Sequence, residues 1–237
     1  MCGDQSAGKS SVLEALTEIP FPRNDNLCTR FATEIILRRA TVDSLTIKVI
    51  PDAKRTADDL ESIKAFKELI TDFTELPSIV DKAMAVMGID SAIPQSRAFA
   101  RDVLSIEIEG PSRPQLTLVD LPGLIQNESK GVTNADVELV RKVDPDGERT
   151  LGIITKPDRL PAGSGSESAF LNLARNNDIF FKLGWHVLKN RSFEEGTSSF
   201  VERNVAEATY FERSNFKGLA KDCVGISDLV FIPHGAH

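Results

Sequence analysis

The sequence predicts a three-layer α/β fold, a mixed central sheet flanked by helices, and three observations predict it. Apolar runs of strand length alternate with segments whose apolar residues recur at steps of three and four. The stretch Gly3-Asp4-Gln5-Ser6-Ala7-Gly8-Lys9-Ser10-Ser11 fits Gly, four residues, Gly-Lys-Ser/Thr, and a helical run follows it directly. Two apolar runs end in carboxylate motifs, Asp120-Leu121-Pro122-Gly123 and Thr155-Lys156-Pro157-Asp158, and open α/β sheets gather ligands at strand carboxyl ends.

In the first element, glycines permit a loop tight enough for backbone N–H groups to surround phosphate oxygens, Lys9 adds a cation and Ser10 a hydroxyl for magnesium. The helix from Ser11 to Leu16 aims its positive end at the same phosphates. Only Met1 and Cys2 precede Gly3, so the buried strand that normally leads into such a loop is expected to be missing. Ile19-Pro20-Phe21-Pro22 ends the helix, and a loop rich in turn formers follows. Residues 32–36 and 44–50 read as a hairpin around a polar segment, and 57–88 as a helix with Leu60, Ile63, Phe66, Leu69, Ile70 and Phe73 in the core, interrupted at Pro77.

Residues 103–109 alternate like a strand with one wet face, and 116–120 form a second strand that delivers Asp120 to its tip. There Asp120 is placed to hold magnesium through water and Gly123 to offer its N–H to a terminal phosphate. A short amphipathic helix at 134–143 and a strand at 150–154 lead to Asp158, whose two oxygens can accept the ring N–H and exocyclic amine of guanine. Lys156 can lay its stem along the base. The polar stretch 162–168 precedes a helix at 169–175. A strand at 185–188 ends in Asn190-Arg191-Ser192, which can flank the base, and a helix at 200–211 covers the outside. Singly, each motif also reads as an ordinary strand-ending turn; their order along one chain favours the chemical reading.

Composition bounds the function. The 237 residues carry a net charge of -7, which argues against a broad nucleic-acid surface. Cys2, Cys28 and Cys223 are few and far apart, the pattern of reduced thiols in a cytoplasmic setting. His186, His234 and His237 lack metal-ligand spacing, and no apolar run of membrane-spanning length or secretory signal is visible.

The Gly3–Ser11 loop, Pro22-Arg23 with Thr29-Arg30, Asp120-Leu121-Pro122-Gly123, Thr155-Lys156-Pro157-Asp158 and Asn190-Arg191-Ser192 together resemble the GTPase domain of the dynamin superfamily, in its fungal dynamin-like and Mx-like branch. The resemblance spans Gly3 to about Ile226, with residues 227–237 a divergent tail. It implies a P-loop NTPase (Rossmann-like) GTPase domain that binds GTP and GDP and hydrolyses GTP with magnesium held by Ser10, Thr29 and Asp120. It further implies that Gln5 orients the attacking water, that Ser6 helps hold a monovalent cation, Na+ or K+, in place of an arginine finger, and that Thr29 closes over the metal. Lys9 acts with these. Arg23 joins the nucleotide contacts, and such domains pair as homodimers across the nucleotide. Contact with membranes or microtubules follows from family analogy alone.

The chain departs from that family at several points. Asn24 stands where relatives carry Gly, and between Asp120 and Thr155 one strand and one helix of the expected sheet are missing. With the strand before Gly3 also gone, neighbouring backbone groups would lack partners. The long helical stalk of relatives is absent after Leu229, which with the other gaps reads as a truncated or mis-spliced product unable to self-assemble on membranes. Two other readings stand beside the GTPase: a nucleotide-binding module without turnover, and a generic phosphate-loop ATPase, which Asp158 discriminates against.

Overall fold

The computed structural model describes residues 1–3, 7–19, 30–70, 72–89, 99–121, 134–192, 195 and 198–229. It divides into two compact units, Met1–Ser10 with Ile19–Gln126, and Ser11–Glu18 with Asn127–His237.

The first unit is a five-stranded mixed sheet. Its strands are β1 (Ala32–Arg39), β2 (Ser44–Ile50), β3 (Lys67–Ile70), β4 (Val103–Gly110) and β5 (Leu116–Asp120), in the order β3-β2-β4-β1-β5. The predicted hairpin between β1 and β2 does not form. β4 lies between them, parallel to β1 with Ile35 opposite Ile106, and antiparallel to β2 with Ile47 opposite Ile106. β4 is the central strand of the five: Leu104, Ile106 and Ile108 are buried on one face, while on the face read as wet Ser105 is buried and Val103, Glu107 and Glu109 are half-buried. β1 and β2 each bury every second residue, and Ile35, Leu37, Leu45, Ile47 and Val49 complete the same core.

The long helix expected at 57–88 is two helices and a strand. The helix α1 (Lys9–Thr17) begins in this unit, and α2 (Ala57–Ala65) and α3 (Leu76–Val86) lie wholly within it. Thr56 caps α2, accepting from the Asp59 N–H, and Asp58 and Asp59 sit in its first turn. Phe66 then turns extended, and Lys67–Ile70 pairs antiparallel with β2 as an edge strand. That pairing supersedes the helical period: Ile63 and Ile70 are buried, but Leu69 is 67 % exposed. Pro77 lies in the first turn of α3, where its missing N–H costs nothing, so it starts a helix and does not break one.

The second unit holds the parallel pair β6 (Gly152–Thr155) and β7 (Trp185–Leu188) with α4 (Asn134–Val143), α5 (Gly165–Ala174), α6 (Phe200–Arg213) and the one-turn α7 (Ile226–Leu229). Among the described residues no strand lies between Asp120 and Gly152. α5 begins inside the Gly-Ser stretch expected to be a loop, because Ser164 caps it by accepting from Glu167 N–H. Ser199 and Glu202 form a reciprocal capping box at the start of α6. The core gathers Ile154, Leu173, Phe181, Trp185, Val187, Phe211 and Phe216, with the Phe181 and Trp185 rings 5.2 Å apart. Gly152 sits under the Trp185 indole, and a Cβ there would meet the ring at 2.2 Å. Only glycine allows that strand and that ring to share the space.

Candidate functional site

In the first unit, ahead of α1, Gly3 and Gly8 take positive φ angles of 154° and 88°. The Lys9 ammonium folds back on the loop and donates to the Gly3 carbonyl at 2.9 Å. Ser10 and Ser11 follow in the first turn of α1, and Ala7 precedes it. Asp4, Gln5, Ser6, Arg23, Thr29 and Gly123, all expected to serve the site, lie outside the described residues.

β5 carries Asp120 to its end as predicted. Met1 runs alongside: its amino group donates to the Val119 carbonyl, and the Leu121 N–H donates to the Met1 carbonyl at 3.2 Å. The Asp120 side chain is 2 % exposed, and its Oδ1 has no hydrogen-bond partner among the described residues. Burial pushes this carboxyl up to about 6, against the opposing pull of Lys9 and the terminal amino group. A buried carboxylate oxygen without a donor is the environment a hard cation relieves. No three-membered cluster of His, Cys, Asp or Glu exists among the described residues. One carboxylate with a serine hydroxyl suits magnesium, which takes few protein oxygens and completes its shell with water and phosphate. On these grounds Asp120 and Ser10 fit the metal.

In the second unit the ends of β6 and β7 are adjacent, Thr155 opposite Leu188, so the segments that follow leave the same edge of one small sheet. Lys156 takes the left-handed conformation, φ 57° and ψ 41°, rare for a side chain with a Cβ, and it starts a 3-10 turn over Pro157–Arg159. Its ammonium is held below the usual lysine range by desolvation and by Arg159, while Asp158 pulls it the other way. Asp158 itself is exposed. Its negative charge, after desolvation, helps to hold the Tyr210 phenol up at about 12.

The segment after β7 is anchored by charged groups that the sequence reading did not single out. The Arg203 and Glu207 side chains, one helical turn apart on α6 and each 3 % exposed, pair at 2.7 Å. Glu207 also accepts from the Lys189 N–H at 2.9 Å and the Ile226 N–H at 2.8 Å, and Arg203 donates to Asn190 Oδ1 at 2.7 Å. Arg191, expected beside a base, is already engaged: it pairs with Glu14 of α1, donates to the Ser198 carbonyl and lies 4.8 Å over the Phe200 ring. The only sequence signal for Arg203 and Glu207 was their i,i+4 spacing, which usually marks an exposed pair.

At the opposite ends of β6 and β7 a cavity of about 560 Å³ is lined by Leu151, Gly184, Trp185, His186, Leu219 and Cys223. None of the motif residues borders it. His186 there is 1 % exposed, its Nε2–H donating to the Gly225 carbonyl at 2.7 Å, and burial holds its pKa below the usual range.

The model of the dynamin family matches residues 1–136. The chain is 30 % identical over 256 residues to the interferon-induced GTP-binding protein Mx2 of Oncorhynchus mykiss, covering 91 % of this chain and 36 % of that protein. It is 31 % identical over 245 residues to the Mx protein of Dicentrarchus labrax, covering 88 % and 35 %. With the Mx protein of Perca fluviatilis the identity is 28 %, covering 93 % of this chain and 79 % of the relative. The chain thus spans about a third of the length of the first two relatives. A phosphate-loop glycine pair, a strand-end carboxylate with an unpartnered oxygen and a family match over more than half its residues lead to one conclusion: the chain belongs to the dynamin family.

Proposed function

We infer that the chain binds GTP with magnesium and hydrolyses it to GDP and phosphate. The observation that carries this is Asp120, a buried carboxylate with a free oxygen at a strand end in a chain whose phosphate loop supplies Lys9 and Ser10. The family match and the printed GTP-binding character of its Mx relatives support it. Magnesium, when bound, supplies charge neutralisation on the phosphates; Ser10 and Asp120 are the described residues that would hold it. Lys9 releases the Gly3 carbonyl to meet phosphate oxygens, and the loop N–H groups stabilise charge that grows as the terminal phosphoryl departs. Asp158 accepts from the base, and Lys156 covers it.

By the family resemblance, Gln5 positions the attacking water, Ser6 holds the monovalent cation, Thr29 closes over the metal, and Arg23 and Gly123 contact phosphate. Pairing of two copies through this domain, and attachment of a cytoplasmic protein to membranes or microtubules, belong to the same inference. No helix of the described residues is long and apolar enough to cross a membrane.

Titration with a fluorescent guanine nucleotide should give saturable, magnesium-dependent binding below high micromolar concentration, and its absence sinks the reading. Lys9→Ala should weaken that binding by roughly 100-fold, as loss of a phosphate-charged contact of about 3 kcal/mol implies. A binding module without turnover is the second reading. Phosphate release that Gln5→Ala abolishes would exclude it.

A further inference from the structure

The helix that follows the phosphate loop is short, and it carries a charge on its packed side. α1 has nine residues, Lys9–Thr17, and Val12, Leu13, Glu14, Ala15 and Thr17 of it are buried. A helix of that length is not stable by itself in water, so its position is set by what it packs against. The apolar packing of Val12, Leu13 and Ala15 resists separation but has no direction. Glu14 differs. It is a carboxylate only 6 % exposed, and a buried charge is held against a partner of opposite sign.

That partner is Arg191, 177 residues along the chain. Its Nη2 donates to Glu14 Oε1 and its Nη1 to the Ser198 carbonyl, while its guanidinium carbon lies 4.8 Å from the centre of the Phe200 ring. Two contacts in the plane and one on the face fix the orientation of a planar group. Ser198 and Phe200 bracket Ser199, the N-cap of α6, which Glu202 locks by reciprocal bonds. The start of α6 therefore holds Arg191, and Arg191 holds Glu14.

Glu14 comes four residues after Ser10 and five after Lys9, one turn along the same helix. Hydrogen bonding makes that turn a rigid body, so any slide or rotation of Glu14 about the helix axis is passed on to Lys9 and Ser10. We propose that Arg191 is a positioning residue for the phosphate loop, fixing through Glu14 where Lys9 and Ser10 stand against the second phosphate of a bound nucleotide. The proposal rests on the GTP-binding reading above and adds to it a residue that acts on the phosphates without touching them.

The test uses the full chain with magnesium, and GDP and GMP as probes that displace a fluorescent guanine nucleotide. GMP lacks the phosphate that Lys9 and Ser10 are placed to meet, so its binding is insensitive to where they stand. Arg191→Met keeps bulk over Phe200 and removes the donors. It should weaken GDP about tenfold, the worth of one hydrogen bond to a charged group, and GMP less than about twofold. Glu14→Gln keeps the shape and an acceptor for Arg191, so it should give a smaller loss, again confined to GDP. The double variant should bind GDP no more weakly than Arg191→Met alone, because both changes break one link. A role in folding alone, or a contact with the base, weakens both nucleotides together. Equal losses for GDP and GMP therefore overturn the proposal, as do losses that multiply in the double variant. If Arg191→Met fails to fold, Glu14→Gln that binds GDP like the parent overturns it as well. Failure of the parent itself to bind GDP sinks the GTP-binding reading, a result told apart because it needs no variant.

Discussion

In the first unit the Lys9 ammonium donates to the Gly3 carbonyl, and Asp120 is buried with an oxygen that has no hydrogen-bond partner among the described residues. In the second unit the corresponding groups are set by charged pairs behind them, Arg203 with Glu207, Arg191 with Glu14, and Lys189 with Glu195. The difference teaches what each side is built to meet. Phosphate and metal carry enough charge to organise a loop around themselves, so on the function proposed above a buried carboxylate oxygen can be left without a partner. A neutral base offers only directional donors and acceptors. On the function proposed above its recognition has to be pre-aimed, and the buried Arg203–Glu207 and Arg191–Glu14 pairs hold the segment after β7 that would take part.

The largest test of this contrast breaks the network in the second unit. Glu207→Ala leaves the Arg203 guanidinium buried and unpaired and strips the Lys189 and Ile226 N–H groups of their acceptor, so it should cost about 3–5 kcal/mol. Trp185 is the single tryptophan and lies in the second unit, so its fluorescence in a denaturant titration reads this loss directly.

Asp120→Asn should act with the opposite sign. A carboxyl pushed up to about 6 is one whose charged form the fold disfavours. The stability it lends is fully present below pH about 4 and is lost as pH rises through about 6, some 2–3 kcal/mol at 1.36 kcal/mol per unit. Without magnesium, the asparagine variant should be more stable than the parent at pH 7.5 and indistinguishable at pH 4 by far-UV circular dichroism melts. The same substitution should weaken magnesium-dependent nucleotide binding. If it destabilises at pH 7.5, Asp120 is a structural acceptor and not a group kept ready for a cation.

Gly152→Ala asks whether the indole and the strand can separate. With a Cβ 2.2 Å from the ring, repacking of Trp185 should cost about 1–3 kcal/mol and shift its emission, while the first unit is untouched. The smallest effect belongs to His186. Burial lowers its pKa, so the neutral ring is the folded form, and stability of the second unit should fall as pH drops below about 6.5, the ordinary histidine value. His186→Gln should flatten that part of the pH profile when followed by Trp185 fluorescence.

Much of this was legible in the residues. The helix that follows Gly8, Asp120 at the end of β5, Asp158 just after β6 and the strand at 185–188 fall where the pattern puts them, because Gly and Ser signals and short apolar runs are local properties. The β1–β2 hairpin was misread for the opposite reason. A hairpin and two strands separated by a third have the same local sequence, and only the long-range pairing of β4 with both β1 and β2 selects the second. Leu69 was misplaced because a helical period can coincide over a few residues with an edge strand.

The sequence by itself determined which chemical groups its motifs carry and in what order, since those depend on residue type and short spacing. The tertiary structure alone decided that Asp120 is buried with an oxygen that has no partner among the described residues and that Arg203, thirteen residues from Asn190, holds its amide oxygen. The reason is physical: desolvation and hydrogen-bond direction depend on what is packed around an atom, and such neighbours come from distant parts of the chain.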